Sequence, residues 1–479
     1  MSHKLSRVME KPTIILATSN GVGMGHLARA SAIALALKDH ANPIIVSMAG
    51  GIAEIPEQLG IRCEYIPGRD RLWMSREKWD AYLRDRLLAL VDETNAKVLS
   101  FDGVVPYPGV IAAKFGHKTL SLVWVRRGLW QKKPQRFVLG LQSKMMDLII
   151  EPGDIARAYD FGPTAKRNDA TLTSPVSLFQ KESALSREAA RVALGLDLER
   201  PAVLVQLGTG DSDVNEKMTA ALSGLLGWKD LQIILTKHPL DKNGESLVPE
   251  GLDIRVVRYF PLANVLHAFD AGVCATGYNG VHELLPSQIP TVFVSNIRGT
   301  DDQEARAKWC HDFGFALRAD QSDLEDITAK VRQLQDPEVR LRLAKKCGEL
   351  APAIGGVEIA KILFDLATAK DPVRPSRITY LCLNIQEHIN RGLRHVAYLG
   401  LRRLGLVYRW IHPHIVVQVT RQAPPVWGEQ IIAKDLHLLI KGDQRFEHLI
   451  AGASENYKRR RAEIAEAAYG ELIEVIKRK

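Results

Sequence analysis

The chain has 479 residues, of which 46% are hydrophobic and 25% are charged, and its formal net charge is +9, a composition typical of a globular protein with two or three domains. No run approaches the roughly 18 apolar residues that span a bilayer, and the polar N-terminus followed by the short apolar run 13–17 does not match a signal peptide, so we expect a cytoplasmic protein. The five cysteines are scattered and lack a Cys-x-x-Cys pair, which argues against a disulfide framework and a zinc site.

The N-terminal part alternates strand and helix patterns. Apolar runs predict strands at 12–18, 43–48, 61–66, 97–101, 118–124 and 147–151. Helical patterns such as 27–38 and 76–93 lie between them. This alternation predicts a doubly wound parallel sheet. Asp102 ends the fourth strand, on the edge of the sheet where ligands bind.

A glycine-rich loop, Ser19-Asn-Gly-Val-Gly-Met-Gly-His26, joins the first strand to the first helix. Glycines let a backbone turn tightly and approach an anionic group. The loop is not the dinucleotide fingerprint Gly-x-Gly-x-x-Gly, because His26 occupies the place of the third glycine. His26 is the only group in the loop with an ordinary pKa near neutrality, so we consider it a candidate general base whose imidazole Asp102 could hold. Diphosphate binding or helix capping by His26, and turn formation by Asp102, remain the alternatives.

The second half of the chain opens in the same way as the first. A strand at 169–178 leads into a linker, and a Ser-capped helix, 186–195, follows. Then come a strand (201–207), a glycine loop (208–213) and a helix from Val214. Glycines before a helix can approach an anionic group, and its Asp211-x-Asp213 pair is interpreted as part of that loop rather than as a metal site.

Residues 271–307 are the most informative stretch. A buried strand, 271–276, ends in Gly277; we expect 278–280 to form a turn, 281–285 to open a helix and 291–295 to form a second strand. A helix N-terminus at the carboxyl end of a parallel strand favours anions.

Three polar side chains in this stretch suit a sugar ligand. We expect Glu283 in the first turn of the helix, where its carboxylate could accept two adjacent ribose hydroxyls. Asp302 and Gln303 follow the second strand and could grip a hexose. The alternative is an ordinary βαβ unit with a helix-capping acid.

This stretch resembles the donor-sugar-nucleotide site of GT-B glycosyltransferases, above all the group holding the lipid-II-forming N-acetylglucosaminyltransferase and the plant galactolipid synthases. Ser287-Gln288-Ile289-Pro290 replaces the usual Gly-x-Pro but keeps the proline. The N-terminal loop matches the pattern Gly-x-Gly-x-Gly-His-x-x-Arg, similar to the loop that opens the acceptor domain of these enzymes. The resemblance implies a UDP-sugar as co-substrate and no other cofactor.

The same resemblance implies a set of site residues. For catalysis these are His26 and Asp102, held as a His–Asp dyad, and for the acceptor they are Gly23, Gly25 and Arg29. For the donor they are Gly208, Thr209, Gly210, Gly277, Tyr278, Asn279, Gly280, Glu283, Asp302 and Gln303. His282 is expected on the helix surface or lining the cleft. No residue is expected to bind a metal.

The predicted fold class is α/β of the GT-B type, with two Rossmann-like domains facing a cleft and a mainly helical C-terminal extension. The acceptor-binding domain is expected at 1–180, the donor-binding domain at 181–372, and a basic extension at 373–479. Residues 371–479 hold 18 Lys and Arg against 11 Asp and Glu, or +7. Apolar positions from Ile389 to Ile411 recur at helical spacing. The extension therefore either packs on the catalytic body or lies on an anionic membrane surface as a peripheral anchor.

Three functions remain open. The first is an inverting, metal-independent transfer from a UDP-sugar to a lipid-linked or glycan acceptor. The second is hydrolysis of a nucleotide-sugar, because the UDP-sugar hydrolase of pseudaminic acid synthesis has a similar Gly-His-x-x-Arg loop. The third is a non-catalytic scaffold, against which the intact His26, Glu283 and Gln303 argue. We expect no nucleic-acid partner, because no basic-aromatic module is present.

Overall fold

The computed structural model of the protein describes residues 11–19, 25–48, 59–66, 68, 76–117, 119–132, 136–208, 212–236, 248–257, 259–296, 300–369, 377–386 and 389. The strands are β1 (Thr13–Thr18), β2 (Asn42–Ser47), β3 (Arg62–Tyr65), β4 (Val98–Asp102), β5 (Ser121–Val125), β6 (Leu148–Pro152), β7 (Thr171–Thr173), β8 (Ala202–Gln206), β9 (Gln232–Leu235), β10 (Asp253–Val256), β11 (Ala271–Ala275), β12 (Thr291–Val294) and β13 (Leu317–Ala319). The α-helices are α1 (Gly25–Leu37), α2 (Arg76–Thr94), α3 (Pro108–Gly116), α4 (Arg136–Ser143), α5 (Arg187–Leu194), α6 (Ser212–Leu225), α7 (Tyr278–Leu284), α8 (Gln303–Asp312), α9 (Leu324–Arg332), α10 (Pro337–Cys347) and α11 (Gly355–Thr368). A further helix covers 377–386.

The first sheet contains seven parallel strands in the order β3-β2-β1-β4-β5-β6-β7. Strands β4 and β5 are buried throughout, as expected for parallel strands covered by helices on both faces. Their registers pair Asp102 with Thr18 on one side and with Val125 on the other. The loops that follow β1, β4 and β5 therefore start at one level and meet at one edge of the sheet.

The second sheet contains six parallel strands in the order β10-β9-β8-β11-β12-β13. Strand β11 lies between β8 and β12, so the loops after these three strands also share one edge. Two parallel, helix-covered sheets in succession confirm the α/β fold that the sequence predicts.

Helix α11 returns from the second sheet to the first and packs against α1. Its Ile359 and Leu363 are fully buried in the same hydrophobic cluster as Ile33 and Leu37 of α1. The approach is close: a Cβ on Gly355 would collide with the carbonyl oxygen of Ser174, so glycine is required there. Although the sequence assigns 357–369 to the second domain, this helix covers the first.

Four local features differ from the sequence-based prediction. Helices α3 and α4 and strand β13 were not predicted, because eight- or nine-residue helices and a three-residue strand are too short for a clear periodic pattern. Helix α7 begins at Tyr278, with Gly277 as its N-cap, rather than at Val281. The Tyr-Asn-Gly segment thus forms the first helical turn instead of a separate turn.

Two exclusions made from the sequence can be compared with the structure. All five cysteines are free thiols, in line with the prediction of no disulfide framework. Four of them are buried, and Cys382 is exposed. Among the helices within the described ranges, none has both the length and the apolar character of a membrane-spanning segment.

Candidate active site between the two sheets

His26 and Asp102 lie in contact at the edge of the first sheet, one at the start of α1 and the other at the end of β4. His26 Nδ1 is 2.7 Å from Asp102 Oδ1. An ionised carboxylate only accepts hydrogen bonds, so Nδ1 carries the proton and donates a hydrogen bond to Asp102. This tautomer leaves Nε2 unprotonated, and Nε2 contacts no hydrogen-bond partner among the described residues. The predicted contact between His26 and Asp102 is confirmed, while their catalytic role stays a prediction.

Arg29 holds Asp102 in a two-point contact. Its Nε donates to Oδ2 at 2.9 Å and its Nη2 donates to Oδ1 at 2.6 Å. Arg29 was predicted to bind the acceptor; its side chain is only 2% exposed, and that role stays a prediction. Arg29 Nη2 also lies 2.9 Å from His26 Nδ1, since both atoms donate to the same carboxylate oxygen.

The surroundings of the pair favour a neutral imidazole beside an ionised carboxylate. Burial lowers the pKa of His26, and the positive charges of Arg29 and Arg127 act in the same direction against the opposing effect of Asp102. Burial by itself would raise the pKa of Asp102, but Arg29 and His26 hold it well below its usual range. Such an imidazole can accept a proton at Nε2 while the carboxylate stabilises the imidazolium that forms.

Tyr278 crosses from α7 into the first domain. It is 2% exposed, its hydroxyl donates to the carbonyl of Gly153 at 2.8 Å, and it accepts from the N–H of Val176 at 3.0 Å. The guanidinium groups of Arg29 and Arg306 lie over its ring, 5.0 Å and 5.9 Å from the centroid. The Tyr278 side chain is enclosed by these contacts between the domains, while the predicted contact of the 277–280 main chain with the donor stays a prediction.

Asn279 joins α7 to the loop that precedes His26. Its Nδ2 donates to the carbonyl oxygen of Gly25 at 3.0 Å. Its Oδ1 is buried and contacts no partner within the described residues. Gly25 was predicted to bind the acceptor and Asn279 to bind the donor. The structure places these two residues in contact across the cleft.

His282 is a second histidine at the domain interface, and it is buried rather than exposed on the helix surface. It is 3% exposed, Nδ1 donates to the carbonyl of Tyr278 at 2.7 Å, and Nε2 accepts from the N–H of Ile155 at 3.1 Å. Burial lowers the pKa of His282 to about 4. Because one nitrogen donates and the other accepts, His282 is a neutral link between α7 and the loop after β6.

Arg306 of α8 is the centre of a buried ion-pair network that the sequence did not reveal. The side chain is 0% exposed and contacts Asp154 of the first domain through Nε at 3.0 Å and Nη2 at 2.8 Å. It also donates to Asp301 at 3.0 Å and to the carbonyl of Thr276 at 2.7 Å. The carboxylates hold Arg306 in its charged form and raise its pKa, although burial opposes them.

The main chain also pairs across the interface. Residue Trp130, after β5, forms an antiparallel bridge with Asp301. Gln131 N–H donates to Thr300 at 2.6 Å, and Asp302 N–H donates to the carbonyl of Leu129 at 3.0 Å. The segment that leads into α8 is thus positioned by the first domain.

Asp302 and Gln303 are placed differently from their prediction. Asp302 caps α8, accepting from the N–H of Ala305 at 3.0 Å. Gln303 is 5% exposed, and its amide accepts from the N–H of Asn296 at 3.0 Å and donates to Asp301 at 3.4 Å. Because both ends of its amide are bonded within the segment, Gln303 supports the loop. The predicted contacts of Asp302 and Gln303 with a sugar stay predictions.

Glu283 lies in the last turn of α7, not in the first turn as predicted, because the helix begins three residues earlier. The carboxyl group is half-buried, and no hydrogen bond or ion pair joins it to another described residue. Burial raises the pKa of Glu283 to about 8. An acid left without a cation in such a place is suited to accept hydrogen bonds from a ligand.

Comparison with solved structures decides the fold. A glycotransferase of kitacinnamycin aligns with a TM-score of 0.50 and 17% identity, covering 74% of this chain and 99% of that one. Spinosyn forosaminyltransferase gives 0.51 and 14%, covering 74% and 99%. A putative UDP-N-acetylglucosamine 2-epimerase from Listeria monocytogenes gives 0.51 and 14%, covering 76% and 99%. The chain has the GT-B fold.

In sequence, the chain is similar to curated GT-B glycosyltransferases. It is 28% identical over 192 residues to the UDP-N-acetylglucosamine–N-acetylmuramyl-(pentapeptide) pyrophosphoryl-undecaprenol N-acetylglucosamine transferase of Cutibacterium acnes, covering 38% of this chain and 51% of that protein. The transferase of the same name from Rhodococcus jostii is 23% identical over 384 residues, covering 75% and 97%. A third relative, 4'-demethylrebeccamycin synthase of Lentzea aerocolonigenes, is 30% identical over 157 residues, covering 33% and 36%.

These matches define a resemblance to the predicted group of glycosyltransferases. The chain spans between about a third and 60% of the length of the first four curated relatives. No protein-family model matches it.

The glycine loops of the GT-B cleft are only partly within the described residues. Gly208, after β8, has φ of +87°, a left-handed conformation that favours glycine. Gly277 is the N-cap of α7, and Gly280 packs in its first turn. Gly23, Thr209 and Gly210 lie outside the described residues, as do Asp211 and the side chain of Asp213, so their predicted roles stay predictions.

Proposed function

We propose that this GT-B protein is an inverting glycosyltransferase that moves a sugar from a UDP-sugar to a hydroxyl of a lipid-linked or glycan acceptor. The observation that carries the proposal is the unprotonated Nε2 of His26, oriented by Asp102 and located where the two domains meet. A base so oriented is what deprotonation of an acceptor hydroxyl requires.

His26 would remove the acceptor proton as the hydroxyl attacks the anomeric carbon from the face opposite the leaving UDP. The carbon–oxygen bond to the diphosphate breaks, and the proton remains on Nε2. Asp102 would stabilise the resulting imidazolium. Arg29 would keep Asp102 ionised and correctly rotated, which makes Arg29 a positioning residue.

The donor side of the proposal depends on Glu283 and the glycine loops. Glu283 would accept from the ribose hydroxyls, and the N–H groups of the 208–210 and 277–280 segments would contact the diphosphate. The relatives named as N-acetylglucosamine transferases support UDP-N-acetylglucosamine as the first donor to test. Their names also support a pyrophosphoryl-undecaprenol acceptor.

A product assay tests the proposal. The full chain is incubated with radiolabelled UDP-N-acetylglucosamine, with and without bacterial membranes, in the presence of EDTA. We expect membrane-dependent, EDTA-resistant incorporation of label into an organic-extractable product. His26→Ala is expected to reduce turnover about 10²-fold or more while donor affinity changes little. Equal loss of donor binding would instead place His26 in the donor site.

The same assay separates the other functions. The His26–Asp102 pair could equally activate water, and release of free labelled sugar without membranes would identify a nucleotide-sugar hydrolase. Binding of UDP with neither product would leave a non-catalytic scaffold.

A further inference from the structure

A cluster of six buried or half-buried charges lies where the two domains meet. The cations and anions are Arg29, Arg127, Arg306, Asp102, Asp154 and Asp301. The cluster contains equal numbers of guanidinium and carboxylate groups, but one guanidinium forms no hydrogen bond to a carboxylate of the cluster. A charged group taken from water is costly unless its donors find acceptors.

Two of the three guanidinium groups are well satisfied. Arg29 bonds both oxygens of Asp102. Arg306 bonds Asp154 at two points, and also Asp301 and a main-chain carbonyl. These two cations therefore bond to all three carboxylates of the cluster.

Arg127 is the exception. Its closest carboxylate oxygen is Asp301 Oδ1, 3.6 Å from Nη1, which is an ion pair but too long for a hydrogen bond. That oxygen already accepts from Arg306 at 3.0 Å. Arg127 Nε is buried and meets no acceptor within the described part of the chain. The side chain as a whole is 16% exposed, so part of it still reaches the solvent.

Arg127 lies near the proposed catalytic pair. The residue follows β5 by two positions, and β5 lies beside β4, whose last residue is Asp102. Its charge is close enough to His26 to lower the pKa of the imidazole. An underused guanidinium therefore lies in the same cluster as Arg29 and Asp102, which contact the His26 imidazole.

We infer that Arg127 binds a phosphate oxygen of a substrate diphosphate next to His26. A guanidinium presents several donors in a planar fork that matches phosphate oxygens. The 3.6 Å contact with Asp301 would keep the guanidinium in place without consuming its N–H groups. This inference rests on the proposed function, since it assigns the ligand to the same cleft. The diphosphate belongs either to the nucleotide donor or to a lipid-linked acceptor, and the chemistry of the contact is the same.

Calorimetry with the full chain tests the inference and separates the two sources. The probes are UDP, uridine and geranyl diphosphate, the last also added in saturating UDP. In Arg127→Gln we expect at least tenfold weaker binding of one diphosphate probe, with uridine affinity unchanged. A loss confined to UDP assigns Arg127 to the donor, and a loss confined to geranyl diphosphate assigns it to the acceptor. Unchanged affinity for both diphosphates overturns the inference, as does the absence of binding by the wild-type chain.

The matched control is Arg157→Gln. Arg157 belongs to the same domain and donates to Glu151 at 2.7 Å, but it is 43% exposed and outside the cluster. We expect its diphosphate affinity to match the wild type. A loss of the same size in this variant would indicate a general charge effect and overturn the inference.

Two further comparisons keep the outcome interpretable. If Arg127→Gln does not fold, Arg127→Lys retains the charge but loses the Nε donor, and we expect it to bind the affected diphosphate several-fold more weakly; unchanged affinity overturns the inference. If Arg127→Gln keeps both affinities while His26→Ala abolishes transfer, the proposed function stands and the inference about Arg127 fails. If no transfer is found but Arg127→Gln loses diphosphate binding, the inference about Arg127 stands and the proposed function fails.

Discussion

The guanidinium of Arg29, in the first domain, lies over the ring of Tyr278, in the second, 5.0 Å from its centroid. Arg29 in turn bonds both oxygens of the Asp102 carboxylate that orients His26. Tyr278 therefore covers Arg29, the side chain that holds the proposed catalytic pair in place. No hydrogen bond among the described residues joins Tyr278 to His26 or Asp102. The geometry of the pair thus depends on how the two domains are packed.

This relationship predicts a change in the pH profile. Replacing the ring in Tyr278→Leu should admit water to Arg29 and reduce the burial that lowers the pKa of His26. The acidic limb of kcat/KM should then move to higher pH, towards the ordinary pKa of histidine near 6.5. The same shift should appear in the NMR titration of the His26 ring, assigned by comparison with His26→Ala.

The chain offers a control with a second tyrosine at the interface. Tyr159 of the first domain donates to Asp312 of α8 at 2.8 Å, but it lies at the exposed rim and contacts no member of the catalytic pair. Tyr159→Leu should weaken the interface without moving the acidic limb. If both variants shift the limb equally, loosening of the domains and not the Arg29–Tyr278 contact is responsible.

Glu283 predicts a pH-dependent donor affinity. Burial raises its pKa to about 8, so in the free protein the carboxyl is mainly protonated at neutral pH. Ribose hydroxyls bond more strongly to the carboxylate, so UDP binding should release a proton and should strengthen up to about tenfold per unit as the pH rises towards 8. Calorimetry in buffers of different ionisation enthalpy measures both effects. Glu283→Gln should weaken UDP binding and abolish the dependence; an unchanged affinity would reduce Glu283 to a structural residue.

His282 predicts a loss of stability in mild acid. Its pKa of about 4 in the folded chain is below the ordinary 6.5, so folding favours the neutral ring. The corresponding stabilisation is complete above pH 6.5 and is lost as the pH falls towards 4, at roughly 1.4 kcal/mol for each pKa unit of difference.

His282→Gln provides the test by thermal unfolding at several pH values. The Gln side chain can still accept from the Ile155 N–H but does not titrate. The variant should be less stable than the wild type at pH 7.5, because the bond to the Tyr278 carbonyl is lost, yet its stability should change less between pH 6.5 and 4.5. Parallel curves for the two proteins would contradict the assignment of that pH dependence to His282.

The sequence predicted those features that are set within one sheet. His26 follows β1 and Asp102 is the last residue of β4. These strands are neighbours in the sheet order that this alternation of strands and helices favours, so the contact could be expected. The two strands of the 271–295 stretch were also predicted, because each is a continuous apolar run next to a glycine or a proline.

The contacts between the domains could not be predicted in this way. Asn279 meets Gly25 across 254 residues, and Arg306 meets Asp154 across 152. No local pattern specifies the relative orientation of two domains, so the packing of Arg29 on Tyr278 was not predicted. Arg127 was not among the predicted site residues, because a missing acceptor cannot be recognised before its neighbours are known.

The C-terminal extension predicts binding to an anionic membrane. Its described part, 377–386 and 389, contains residues that can be substituted singly or in pairs, which tests this binding more directly than truncation alone. Most of the extension, including the rest of the 389–411 pattern, lies outside the described residues. On one side of the helix, Leu383 is buried and Tyr380 packs on Phe115, with 4.1 Å between ring centroids.

Four apolar side chains are left in water at helical spacing. These are Ile378, Leu381, Ile385 and Ile389, which are 76%, 58%, 50% and 51% exposed. An apolar face followed by a segment of net positive charge suits the surface of an anionic bilayer. Each basic side chain near such a surface contributes on the order of 1 kcal/mol, and salt weakens that part but not the apolar insertion.

We therefore expect the full chain to sediment with liposomes that contain anionic lipid, less so in high salt, and not with purely zwitterionic ones. The double variant Ile378→Glu with Ile385→Glu should reduce this binding severalfold without loss of folding, because both side chains are already exposed. Leu341→Glu, at a 64% exposed apolar residue of α10, is the matched control and should bind as the wild type does. A chain ending after Gln386 keeps the packing of Leu383 and should retain UDP affinity while it binds liposomes more weakly. If the double variant and this shortened chain are both folded and sediment as well as the full chain, the contact with the membrane belongs to the two GT-B domains and not to the extension.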